Sequence, residues 1–173
     1  MPLSSLVLAM LTFGLCAPLL AGDAQPDAYT REQMIAQQHN FAEMDTALKA
    51  FEIETGALPP NELKLNGKDL TSSEILYRYL CTKIEIEHRQ VGPFIELKKD
   101  QAKDLSGNGF PSMLDIWGQP IQYDNVKSNA GKMTARNWKD LKDPRKEATR
   151  KEYDIFSFGP PGASAPIFLP AEK

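Results

Sequence analysis

The sequence predicts an α+β fold in which a long amphipathic helix packs against a β-sheet. A stripe of apolar residues at helical spacing follows Thr30 and ends before Gly56, and strand-like alternation occurs in residues 119–124 and 153–158. The chain has 173 residues, of which 42% are hydrophobic and 25% charged, enough for one core but hardly for two. A helix with a single apolar stripe needs one surface to pack against, and we expect a sheet to provide it.

The long helix has clear start and stop signals. Thr30-Arg31-Glu32-Gln33 has the pattern of a capping box, in which Thr30 and Gln33 each bond the other's backbone amide. Gly56 is suited to the position after the helix, and Pro59-Pro60 prevents its continuation. The apolar stripe consists of Met34, Phe41, Met44, Leu48 and Phe51. We therefore predict a helix of about seven turns.

A second helix of about three turns is predicted after Thr71-Ser72-Ser73-Glu74, which is again a capping-box pattern. The segment from Lys83 to Asp104 lacks a regular pattern, so we expect irregular structure with one short strand. Ser106-Gly107-Asn108-Gly109 predicts a turn.

Two strands are predicted in the second half of the chain. In residues 119–124, Ile121 and Tyr123 face one side and Gln122 the other. In residues 153–158, aromatic and aliphatic side chains lie on both faces, which indicates a strand covered on both sides. Between them, residues 132–151 carry eight basic and three acidic residues. This segment favours a solvated, partly helical connection, and the alternative is a docking patch for an acidic partner.

The N-terminal segment predicts export. Residues 3–21 are uncharged and mostly apolar, and Gly22-Asp23-Ala24 offers a small-residue cleavage site before Gln25. We predict a signal peptide in residues 1–24 and a linker in residues 25–30. The alternative is an uncleaved inner-membrane anchor formed by residues 3–21, although Pro18 interrupts that run. The expected location is the periplasm or another extracytoplasmic space.

Residues suited to catalysis or metal binding are few. His39 and His88 are isolated, and Cys81 has no partner cysteine once Cys16 leaves with the signal peptide. Cys81 is expected to be a small buried apolar residue, and a thiol activated by His88 is the alternative. We expect no catalytic residue, no cofactor and no enzyme activity. The net charge of −3 gives no indication of nucleic-acid binding.

The segment "DIWGQPIQY", residues 115–123, has a structural interpretation. Asp115 can accept backbone amides in a turn, and Trp117 is expected to anchor the core. Gly118 permits a backbone conformation closed to other residues, while Pro120 stiffens the entry into the strand that contains Tyr123. We interpret the segment as a connection between a loop and a sheet, so its residues specify the fold.

Three segments in this order resemble the type II secretion pseudopilins, particularly the major, G-type subunit. They are "ETGALPP" at the end of the long helix, "DIWGQPIQY", and "YDIFSFGPPG" from Tyr153 to Gly162. The resemblance implies a long helix on a small antiparallel sheet, a globular domain over residues 31–165 and a tail over residues 166–173. The motif positions of the last segment are Tyr153, Asp154, Ser157 and Gly159.

The resemblance also implies a function and a metal site. It implies a non-enzymatic component of a secretion or pilus-like assembly with protein partners, and a free-standing extracytoplasmic binding module on the same fold is the alternative. No run like the family's Phe-Thr-Leu-Ile-Glu occurs in residues 1–30, and Pro18 and Pro26 would break such a helix, so we expect no polymerising prepilin N-terminus. The family's calcium loop corresponds to Gly159-Pro160-Pro161-Gly162, which lacks the acidic ligand. Calcium binding takes about six to eight oxygen ligands, so we expect no metal here.

Overall fold

A computed structural model of the chain describes residues 30–129, 152–163 and 166–170. The predicted signal peptide or anchor, the linker before Thr30 and the basic segment 132–151 lie outside the described residues. Across the described ranges, two helices are combined with short antiparallel strands, so the α+β class is confirmed.

The first helix, α1, spans Arg31–Thr55. Its capping box forms as predicted: the Gln33 amide donates to Thr30 Oγ1 over 3.3 Å, and the Thr30 amide donates to Gln33 Oε1 over 2.9 Å. Gly56 ends the helix with φ of 78°, a conformation that favours glycine. The start and the end of α1 are therefore confirmed.

The second helix, α2, spans Ser72–Leu80. Its N-cap is Thr71, whose Oγ1 accepts the Glu74 amide over 3.3 Å while Glu74 Oε2 accepts the Thr71 amide over 2.8 Å. The second capping box is confirmed as well.

The strands are short and pair only in antiparallel fashion. They are β1 (Lys64–Leu65), β2 (Lys68–Asp69), β3 (Ile84–Ile86), β4 (Arg89–Val91), β5 (Ala102–Lys103), β6 (Ser112–Met113), β7 (Gln122–Asp124), β8 (Asp154–Ser157) and β9 (Ile167–Phe168). The first six strands form three hairpin pairs, and β7, β8 and β9 form a three-stranded sheet in that order. A short 3₁₀ helix, Lys127–Asn129, follows β7.

The three-stranded sheet contains both strands predicted in the second half of the chain. Its β7 and β8 are paired so that Gln122 faces Phe156 and Tyr123 faces Ile155. All four residues of β8 are buried, in agreement with the prediction of a strand covered on both sides. The third strand, β9, comes from the segment predicted as a C-terminal tail, so the folded core extends beyond residue 165.

The segment from Lys83 to Asp104 is more regular than predicted. It contains the β3–β4 hairpin and β5, where the sequence predicted one strand. The two loop residues of the hairpin, Glu87 and His88, have φ of 48° and 64°. Tight two-residue hairpin loops of this kind usually carry Asn or Gly. The loop residues Glu87 and His88 therefore gave no recognisable turn signal in the sequence.

One hydrophobic core joins α1 to the strands. Its helical side includes Phe41, Leu48 and Phe51, which are almost completely buried. The same cluster contains Tyr123, Tyr153 and Ile155 of the three-stranded sheet, together with Leu76 of α2 and Leu169 after β9. The apolar stripe of α1 is thus covered by residues of the sheet and of α2. No helix among the described residues is long and apolar enough to cross a membrane.

Candidate functional site

The segment "DIWGQPIQY" forms a tight turn organised by Asp115. The Oδ1 atom of Asp115 accepts the amides of Trp117 and Gln119, over 2.9 and 2.7 Å. Its backbone amide donates to the Gln119 carbonyl over 2.8 Å, and Leu114 bridges to Pro120. Gly118 has φ of 78°, the left-handed conformation expected for this position. The turn carries the chain from β6 into β7.

The other carboxylate oxygen of Asp115 joins this turn to the segment "YDIFSFGPPG". The Ser157 hydroxyl, at the end of β8, donates to Asp115 Oδ2. The same hydroxyl oxygen accepts the Gly159 amide over 2.8 Å. Asp115 and Ser157 are both buried, so this contact lies inside the protein. It connects positions that are 42 residues apart in the chain.

A second contact joins β7 to the segment after α1. The Tyr123 hydroxyl donates to the Pro59 carbonyl over 3.0 Å, and the Asn125 side chain donates to the same carbonyl over 3.1 Å. Asn61 and Asn125 also exchange hydrogen bonds, with the Asn125 amide 2.6 Å from Asn61 Oδ1. The prolines of "ETGALPP" are therefore attached to the tyrosine of "DIWGQPIQY".

Tyr153 and Asp154, the first two residues of the third motif, are both completely buried. The Tyr153 hydroxyl donates to Asp45 Oδ1 on α1 over 2.7 Å, and its ring lies 6.4 Å from the Tyr123 ring. Asp154 is paired with Asp124 across β7 and β8. The motif residues thus hold α1, the turn and the sheet together, and they specify the packing of the fold.

Trp117 packs against the hydrophobic core with part of its side chain exposed. The sequence predicts a core anchor, and that role stays a prediction. Its neighbours Ile116 and Gly118 are exposed, because the turn places this part of the chain at the surface. Phe156, Tyr123 and Tyr153 are among the large aromatic side chains that are fully buried.

The loop at residues 159–162, for which the resemblance predicts a lost calcium site, is a turn. The Ala163 amide donates to the Pro160 carbonyl over 3.0 Å, and Gly159 and Gly162 have φ of 71° and 91°. Within the described ranges, no three or more histidine, cysteine, aspartate or glutamate side chains form a group that could hold a metal ion. The loss of calcium binding stays a prediction.

The structure does not bring Cys81 and His88 into contact. Burial raises the pKa of the Cys81 thiol to about 12, so the protonated thiol is favoured at neutral pH. The His88 side chain is 99% exposed on the β3–β4 turn, 3.8 Å from Glu85. His39 is exposed on α1 beside Glu43. No hydrogen bond or ion pair found among the described residues joins the thiol to either histidine.

Burial also raises the pKa of two motif residues, Asp115 and Tyr123. It raises the pKa of Asp115, and hydrogen bonds from Ser157 and from the amides of residues 117–119 offset part of that rise. The pKa of Tyr123 is raised mainly by burial and further by the nearby Asp124. Tyr123 is therefore a neutral hydrogen-bond donor in the folded protein.

A cavity of about 400 Å³ lies between the start of α2, the loop after β5 and the sheet. The sequence did not indicate it. Its walls come from distant segments, including Glu62, Glu74, Ser112, Gln122 and Phe158. The buried Glu74 carboxylate also accepts hydrogen bonds from Ser106 Oγ and Asn108 Nδ2, over 2.7 and 3.0 Å. The predicted turn 106–109 is therefore attached to α2.

Comparison of the chain with protein-family models, curated proteins and solved structures gives no match.

Proposed function

We propose that this chain is a non-enzymatic, exported pseudopilin-like protein that serves as an accessory or structural component of a type II secretion or pilus-like assembly. The observation that carries the proposal is the contact between the segments that resemble the family. Pro59, Tyr123, Asp115 and Ser157 belong to those three segments, and they are joined by hydrogen bonds in the protein interior. Motif residues that hydrogen-bond to one another in the interior stabilise the fold. A motif shared with the family for this reason needs no catalytic group.

The exposed side of α1 is the partner surface in this proposal. Ile53 is 86% exposed and Ile35 is 61% exposed, although both lie on a helix whose opposite side is buried in the core. The two residues are 18 positions apart, which is five turns, so they lie on the same side of α1. In this proposal they contact the partner, because both are apolar and exposed on one side of α1.

Photo-crosslinking in cells that contain the natural partners tests the assembly. A photo-reactive amino acid replaces Ile53, and a matched control places it at Glu87, on the exposed β3–β4 turn. The proposal predicts that position 53, but not position 87, captures a pseudopilin or secretin subunit. If neither position captures a secretion component, the alternative of a free-standing extracytoplasmic binding module is favoured. The cavity of about 400 Å³ supports that alternative, because a binding module needs a site for its ligand.

Cell fractionation with intact-mass measurement tests export separately. The proposal predicts a product in the periplasm that begins near Gln25, or an inner-membrane product if residues 3–21 are retained. A cytoplasmic product that begins at Met1 would contradict both forms of the proposal.

A further inference from the structure

The cavity between α2 and the sheet has an apolar rim. Leu105 and Phe158 line it, and they are 47% and 37% exposed. The rings of Phe158 and Phe156 meet edge to face at 5.9 Å, which fixes Phe158 against the sheet. A volume of about 400 Å³ is in the range of cavities that bind small organic molecules. The rim therefore offers apolar surface to the body of such a molecule.

The charged groups of the cavity are all acidic. Glu62 and Glu74 line it, and no lysine, arginine or histidine is among the described residues of its wall. Glu62 is exposed, whereas Glu74 is almost completely buried. Three donors occupy the Glu74 carboxylate, namely the Thr71 amide, Ser106 and Asn108. A carboxylate accepts about four hydrogen bonds, so the Glu74 carboxylate can accept one more.

Ser112 supplies a buried polar group in the same wall. The residue is 3% exposed and lines the cavity. Ser112 and Glu74 thus place polar side chains in the wall of a space with an apolar rim.

We propose that this cavity binds an organic cation, a primary ammonium group carried on an apolar body. The apolar body packs against Leu105 and Phe158, and the ammonium group is attracted by Glu62 and Glu74. An ammonium group donates three hydrogen bonds, which suits the acceptor oxygens of Glu74 and Ser112. The aromatic ring of Phe158 adds attraction for a positive charge. Binding of such a ligand does not require a role of the protein in secretion.

Three probes with a similar apolar body and different charge test the proposal on the full chain. They are 2-phenylethylamine, 2-phenylethanol and 3-phenylpropanoate, each titrated while backbone amide signals are followed by NMR. We expect the amine to shift the amides of Ser72, Ser106 and Gln122 and to bind about fivefold or more tightly than the alcohol, which is the effect of one unit charge at contact distance in water. The carboxylate probe is expected to bind most weakly.

Two variants and a control complete the test. Glu62→Gln is expected to weaken binding of the amine about fivefold without changing that of the alcohol. Phe158→Ala is expected to weaken both. Glu85→Gln removes an exposed carboxylate on β3, outside the cavity wall, and is expected to change neither. Equal binding of the amine and the carboxylate probe, shifts confined to other parts of the protein, absence of shifts, or equal effects of Glu62→Gln and Glu85→Gln would each overturn the proposal.

Discussion

Asp115 gives the stability of the protein a specific dependence on pH. Burial raises its pKa above the usual 3.8, so the folded state favours the protonated carboxyl. A group whose pKa is raised by folding contributes stability that is present below pH 3.8 and lost as the pH rises through the folded-state pKa. The asparagine introduced by Asp115→Asn cannot ionise but keeps an oxygen for the amides of Trp117 and Gln119. We therefore expect the stability of Asp115→Asn, relative to the natural protein, to increase as the pH rises from about 4 to 7.

Urea unfolding at several pH values measures this difference. A matched control is Asp69→Asn, because Asp69 is exposed on β2. A stability difference between Asp115→Asn and the natural protein that stays constant with pH would contradict the assignment of a raised pKa.

Trp117 contributes less to stability than its size suggests. Replacing a fully buried large aromatic residue by alanine costs about 3–5 kcal/mol, and this is the range expected for Phe156→Ala. Trp117 is half-buried, so we expect Trp117→Ala to cost about 1–2 kcal/mol and to leave the fold intact. Urea unfolding of both variants measures the two values. Unfolding of Trp117→Ala in the absence of urea would show that Trp117 anchors the core after all.

The turn at Asp115 could be predicted from the sequence, but its partner could not. Asp, Gly and Pro at short spacing predict a turn with local hydrogen bonds and a residue in the left-handed conformation. Such a turn depends only on residues that are close in the sequence. The contact with Ser157 depends on how β8 is placed beside the turn, and no local pattern encodes it. The half-buried position of Trp117 follows from the surface exposure of the turn, which is also a tertiary property.

Glu74 connects two elements that are distant in the sequence. Its carboxylate completes the cap of α2 and accepts hydrogen bonds from Ser106 and Asn108 of the loop after β5. We expect Glu74→Ala to lower the free energy of unfolding by about 2–3 kcal/mol, because hydrogen bonds to a charged group are stronger than neutral ones. Urea unfolding tests this, with Glu54→Ala on the exposed side of α1 as the control. Equal effects of the two substitutions would exclude a structural role for Glu74.

Both helices could be predicted from the sequence, whereas most of the strands could not. Capping boxes and Gly56 mark helix ends through contacts within four residues, so they are visible in the sequence. The β3–β4 hairpin turns through Glu87 and His88, which are not typical turn residues. The strand β9 has two residues, too few for an alternating pattern, and it exists because β8 and the core lie beside it.

The whole molecule is held together by contacts between its first and last thirds. The Tyr153 hydroxyl reaches Asp45 on α1, and Gln38 on the same helix donates to the Phe168 carbonyl over 3.4 Å. Tyr123 and Pro59 add a link in the middle of the chain. The sequence predicted that α1 packs against a sheet, because its single apolar stripe has to be buried against one surface. It could not predict which residues of the sheet form hydrogen bonds with α1.

The motif residues form one connected structural unit, and a double-mutant cycle on Asp115 and Ser157 tests this most directly. Asp115→Asn, Ser157→Ala and the double variant are compared with the natural protein by urea unfolding at pH 7. We predict a coupling energy of about 1–2 kcal/mol, because the Ser157 hydroxyl donates to a buried carboxylate. Additive effects, with a coupling energy below about 0.5 kcal/mol, would show that the motif residues do not form one connected unit.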